Sequence, residues 1–330
     1  MRILSIDGGG VMRGILPPAI LVYLEFKIQE ISGKPNAKII DYIDFVAGTG
    51  TGAVTTACMT LPNEKGKALN SMNNIVDYYI RYLPILFHIP KKYKIKTLNG
   101  FLGPAIPEEN AEKLFFQLYD HYKMKELIKP ILFTAYDIEK RKTIFYTTND
   151  SSKKYDNFFV KDILRGANAS PFLYKPGYFR NGVDVHTTID GGLAIANPSL
   201  AVLVETLKQG YDLKNLIFIS IGNGTSKRLN SYKFSKVKKW GKYKWFLPLC
   251  NIVKSANIEI IEYQIKKFFQ LNHLEKNYIR INPNLEHASK NLYDTSAKNI
   301  KDLIKDAEDY IEKNKEMLDD LAQRLYDCKE

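Results

Sequence analysis

The chain has 330 residues, 45% hydrophobic and 25% charged, ordinary values for a globular protein with a large core in one sizeable α/β domain or two small ones. Its three cysteines (Cys58, Cys250 and Cys328) are odd in number, far apart and without metal-ligand spacing, which argues against a disulfide framework and for a reducing compartment. The net charge of +12 admits an anionic membrane surface, nucleic acid or plain lysine-rich solubility, but no nucleic-acid motif accompanies it, so no nucleic-acid partner is expected.

At the N-terminus, Met1 to Asp7 meets an acid after only a few apolar residues, too short for a signal-peptide core. No run of about 18 apolar residues follows anywhere. The expectation is a cytoplasmic protein, with a peripheral place at a membrane as its further option. Arg2 to Ile6 reads as a strand that runs into Asp7-Gly8-Gly9-Gly10, then Val11-Met12-Arg13-Gly14, then a helical pattern from Ile15 to Ile31. Pro17 and Pro18 suit its first turn. A glycine turn between strand and helix aims backbone amides at an anion. A dinucleotide loop wants tighter glycine spacing, and a P-loop wants Gly-Lys-Ser/Thr. An oxyanion hole and a merely structural turn stay open beside them.

Ile39 to Ala47 reads as a buried strand, followed by Gly48-Thr49-Gly50-Thr51-Gly52 and a helix from Val54. Strand, sharp turn and helix are the parts of a nucleophile elbow, G-x-S-x-G, with Gly50 where the serine belongs. Helices are predicted over Ala68 to Leu83 and Glu108 to Tyr122, with a basic stretch, Lys91 to Lys96, and a Gly/Pro-rich loop between them. Lys129 to Asp137 and Thr143 to Thr147 read as paired strands, and Phe159 to Ala169 as a helix. Thr187 to Gly192 is a strand edge breaking at Asp190-Gly191-Gly192. Asn197-Pro198 opens a helix to Gln209, and Leu216 to Ile221 is a strand ending in Gly222-Asn223-Gly224-Thr225. Lys233 to Asn251 is basic and aromatic, with Trp240 and Trp245 among lysines. A helix from Ile258 to Phe269, a short strand from Tyr278 to Ile281 and polar-faced helices from Ala297 to Cys328 complete the chain.

Alternating strands and helices predict an α/β fold, a mostly parallel sheet covered on both faces, and no linker demands a second domain: 1–330 is expected to be one unit. Loops leaving the carboxyl ends of parallel strands converge on one edge. A hydrolase needs a nucleophile, a base and oxyanion donors there. Position 50, Asp190 and the glycine turns match those parts. Thr49 and Thr51 flank the elbow but leave the turn in other directions. His186, four residues before Asp190, is expected to be structural or solvent-facing.

These motifs resemble the patatin-like phospholipases, in the family's order and spacing: the D-G-G-G loop with its arginine, the G-x-S-x-G elbow and the D-G-G aspartate. Arg165 to Pro171, Asn197-Pro198, Ile219 to Thr225, Trp240…Trp245…Pro248 and Arg280 to Leu285 extend the likeness over nearly the whole chain. The resemblance implies a three-layer fold and a Ser-Asp dyad acting on lipid acyl esters, with Asp190 as general base. It implies oxyanion donation by Gly8, Gly9 and Gly10 with Arg13 nearby, and neither cofactor nor metal. Two departures stand out. One extra residue precedes Arg13, and Gly50 closes the covalent route while its backbone tolerance leaves the fold intact.

Two readings of such a chain stay open: a phospholipase A-type hydrolase in a serine-to-glycine form, and a non-catalytic relative that binds lipid or a protein partner. A nucleotide-binding protein leaves three motifs unexplained. For the stretch from Lys233 to Lys254, a solvated surface competes with an interfacial role in which Trp240 and Trp245 meet a membrane.

Overall fold

A computed structural model describes residues 1–10, 12–225, 232–289, 291 and 294–328. In chain order the elements are β1 (Arg2–Ile6), α1 (Leu16–Ser32), β2 (Phe45–Thr49), α2 (Thr51–Thr60), α3 (Met72–Leu86), α4 (Lys91–Lys96) and α5 (Glu108–Tyr119). Then come β3 (Ile131–Asp137), β4 (Lys142–Thr147), α6 (Val160–Ala167), β5 (Gly177–Asn181), β6 (Asp184–Asp190), α7 (Ser199–Lys208) and β7 (Ile217–Ile221). The chain continues through α8 (Phe234–Val237), α9 (Lys242–Leu271), β8 (Tyr278–Ile281), α10 (Ala297–Lys313) and α11 (Lys315–Asp327).

One sheet runs in the order β5-β6-β3-β2-β1-β7-β8, with β4 paired to β3. Its centre, β3-β2-β1-β7-β8, is parallel. The central strands are apolar on both sides because both faces are covered. Leu4, Val46, Phe133 and Ile219 enter a core with α1, α2, α3, α5, α10 and α11. Their neighbours Ile3, Phe45, Leu132 and Phe218 enter a second core with α7 and α9. The alternation along each strand thus divides the side chains between two helical layers.

The antiparallel half positions the site. Residues 131–134 of β3 pair with β2, and β4 pairs along the whole of residues 132–137. A strand has two edges, so β4 holds one and β2 the other. Beyond Thr134 the edge that β2 leaves is taken by β6, whose Asp190, Ile189 and Thr188 pair with Ala135, Tyr136 and Asp137. β2 and β6 therefore run toward each other along one edge of β3, and their carboxyl ends meet.

Three expectations are revised. Asp190 does not leave a parallel strand; it reaches the site from the opposite direction. Residues 39–42 form a turn of 3-10 helix, and the strand begins only at Phe45. The basic aromatic stretch from Lys242 onward and the helix after it are joined in the 30-residue α9, with Pro248 inside.

Candidate active site

The elbow is built by close packing. At Gly52 an added Cβ would lie 2.3 Å from the Ile6 carbonyl oxygen, and at Gly48 2.5 Å from that of Gly52, so α2 starts directly against β1 and β2. Between them Gly50 turns the chain at φ 53° and ψ −121°, backbone that L side chains rarely adopt. A Cβ there would meet little: Asp190 Oδ1 at 3.3 Å and Gly8 Cα at 3.8 Å. The one open position in a crowded turn faces a carboxylate.

Asp190 is held from several sides. Its Oδ1 accepts from the Gly192 amide at 2.8 Å, and its own amide donates to the Ala169 carbonyl at 3.1 Å. Gly191 packs so closely that a Cβ would lie 2.3 Å from the Thr134 carbonyl oxygen. Burial pushes the Asp190 carboxyl above the ordinary carboxylate range, and the Lys254 charge and the Gly192 amide pull the other way.

In the glycine loop, the Gly8 amide donates to the Ala196 carbonyl at 2.8 Å, so this expected oxyanion donor is already engaged. The amides of Gly9 and Gly10 have no hydrogen-bond acceptor among the described residues. Gly9 is glycine for lack of room, because its Cβ would lie 2.1 Å from that of Asn223, whose Nδ2 donates to the Asp7 carbonyl at 2.6 Å. Val11 lies outside the described residues. Arg13 is buried in the 3-10 turn after the loop, and the opposite charge acting on it is Asp306 of α10. That draws Arg13 toward the C-terminal helices.

Sequence reasoning missed the supports of this loop. Asp7 is buried in a 2.6 Å ion pair with Arg280 of β8, and Arg280 also donates to Ser220 Oγ at 2.8 Å. Beside the buried Asp7, the guanidinium is held well above its usual pKa. Asn257 of α9 accepts from the Ala196 amide and donates to the Ala194 carbonyl, each at 3.0 Å. It thereby fixes the segment on which the Gly8 amide rests. Each partner lies far away in sequence, and no local signal announces it.

The other candidates resolve plainly. Thr49 turns into the sheet, its Oγ1 2.6 Å from that of Thr134. The Thr51 hydroxyl is buried without a partner. His186 is buried, stacked on Phe179, with Nδ1 2.9 Å from the Tyr146 hydroxyl. Trp240 and Trp245 meet edge-on at 5.2 Å, and Trp245 remains 36% exposed. Beside the elbow opens an apolar cavity. Thr51 and Asn168 stand at its polar side, and Val54, Ile75, Leu83 and Phe115 supply apolar wall. Among the described residues no cluster of three metal-ligating side chains occurs.

Comparison with known proteins identifies the family. A family model described as Patatin-like phospholipase matches residues 4–203. Patatin group M-3 of Solanum tuberosum is 26% identical over 334 aligned residues, covering 95% of this chain and 84% of that protein. Patatin-like protein 2 of Oryza sativa subsp. indica is 29% identical over 350, covering 97% and 85%. A crystal structure of VipD from Legionella pneumophila aligns with 94% of this chain and 66% of its own, at 14% identity and a TM-score of 0.36.

Proposed function

Because the chain belongs to the patatin-like phospholipase family, whose members act on lipid acyl esters, we propose that it carries a phospholipase A-type site with Gly50 at the nucleophile position. The observation that best supports this reading is the open Cβ position at Gly50, with Asp190 Oδ1 3.3 Å away. A serine hydroxyl there lies one bond further out, within hydrogen-bond reach of the carboxylate. As it stands position 50 carries no hydroxyl to face Asp190, so the chain holds an ester without cleaving it.

With serine at position 50 the cycle runs as follows. Asp190 takes the hydroxyl proton as Oγ attacks the acyl carbonyl. The Gly9 and Gly10 amides receive the oxyanion, and each such donor in a hydrolase contributes about 10²–10³ in rate. The alcohol of the lipid leaves with the proton returned by Asp190. A water, deprotonated by the same carboxylate, then attacks the acyl-enzyme and releases the fatty acid. The apolar cavity beside Thr51 suits the acyl chain, each buried methylene contributing about 0.8 kcal/mol.

The test compares ester hydrolysis by this chain, by Gly50→Ser and by Gly50→Ser with Asp190→Asn. Activity is expected in the second alone, and the third should fall by about 10⁴-fold, as when a hydrolase loses the group that governs its base. A Gly50→Ser protein inert toward every lipid ester tried would reassign the site to binding of a lipid or a protein partner.

A further inference from the structure

We propose that the outer face of α9 is a docking surface for an anionic lipid bilayer. The helix has two unlike sides. Ile261, Ile265 and Phe269 face the core, and Asn257 holds the loop under Gly8. On the opposite side Trp245, Leu249, Val253, Ile260 and Tyr263 follow one another at helical spacings of three, four and seven residues. They are 36%, 52%, 52%, 56% and 64% exposed. At 1.5 Å per residue this stripe is about 27 Å long. Large apolar side chains left in water along one line mark an interaction site.

Charge selects the occupant. From Lys233 to Leu271 the sequence holds nine lysines and two acids, Glu259 and Glu262, and Glu262 is paired with Arg280. An apolar stripe among lysines fits acyl chains below anionic headgroups, the pattern of a helix lying in an interface. A second copy of the same face would bring lysines against lysines. Nucleic acid has no use for the aliphatic centre. Among the described residues no helix is long and apolar enough to cross a membrane, so α9 lies on the bilayer and does not span it. Its inner face reaches the loop beside Asp190, so docking brings the site to the surface where acyl esters reside.

The surface can be tested on the chain as it exists, because binding needs no nucleophile. Flotation with phosphatidylcholine vesicles and with vesicles containing phosphatidylglycerol should show binding to the second, weakening as salt rises. Lys242→Ala with Lys244→Ala should weaken it roughly thirtyfold. Leu249→Asp with Ile260→Asp should abolish it while circular dichroism stays unchanged. Absence of binding to either vesicle, or binding that survives Leu249→Asp with Ile260→Asp, overturns the proposal. So does a dimer dissolved by that pair in a chain that ignores vesicles. The proposed hydrolysis is separable: placed on Gly50→Ser, the aspartate pair should spare a soluble short-chain ester and lose vesicle phospholipid.

Discussion

Asp190 sits under two opposed influences. Burial favours its protonated form, and Lys254 of α9 favours the ionised one. A general base must be ionised before it can take a proton, so in Gly50→Ser the rate should climb with pH along a single limb centred above the ordinary aspartate range. Lys254→Ala removes the charge that lowers this pKa, and the limb should move to higher pH with the plateau kept. A pH–rate profile of kcat/KM on a soluble ester reads both. A limb that stays in place would show Lys254 to be too far away to matter. Lys254 could not be singled out from the sequence, because it is one of nine lysines in its stretch, and only the fold of α9 turns it inward.

At the scale of elements, the strand–turn–helix unit depends on α2 starting against β1. Gly50 and Gly52 are two residues apart and should respond in opposite ways to a side chain. Gly50→Ser enters open space, at a backbone cost of about 1–3 kcal/mol for its positive φ. In Gly52→Ala the new methyl meets the Ile6 and Asp7 carbonyl oxygens at 2.3 and 2.7 Å, and neither moves without β1. Overpacking of this kind costs about 1–3 kcal/mol, so thermal unfolding of Gly52→Ala should shift down by several degrees. Activity gained through Gly50→Ser should be lost in the double variant, because Asp7 leads into the glycine loop. The elbow, the D-G-G-G loop and the D-G-G turn were legible because glycines break apolar runs abruptly. The direction of β6 was not, since alternating burial reads the same both ways. β5, Gly-Tyr-Phe-Arg-Asn, is too short and polar to stand out. α9 looked like two pieces because Pro248 interrupts its amide ladder and lysines crowd its first turns.

Across the whole molecule, distant segments are tied beneath the site. Arg280 of β8 reaches Asp7 at the end of β1, while Arg2 pairs with Asp44 at 2.6 Å and donates to the Leu325 carbonyl. Arg280→Leu would leave Asp7 buried without its partner, a loss of about 3–5 kcal/mol. Urea unfolding should show a markedly lower midpoint. An unchanged midpoint would mean that Asp7 accepts a proton cheaply in place. The meeting of β2 and β6 on β3 has a consequence for descent. The separation of Thr49, just before the elbow's position 50, and Asp190 is measured by one step of β3, from Thr134 to Ala135. Neither the segment from Thr51 to Pro130, which carries much of the cavity wall, nor that from Ile138 to Val183 enters this measurement. Lineages can lengthen, shorten or rebuild both, and so reshape the cavity, while the elbow and Asp190 keep their spacing.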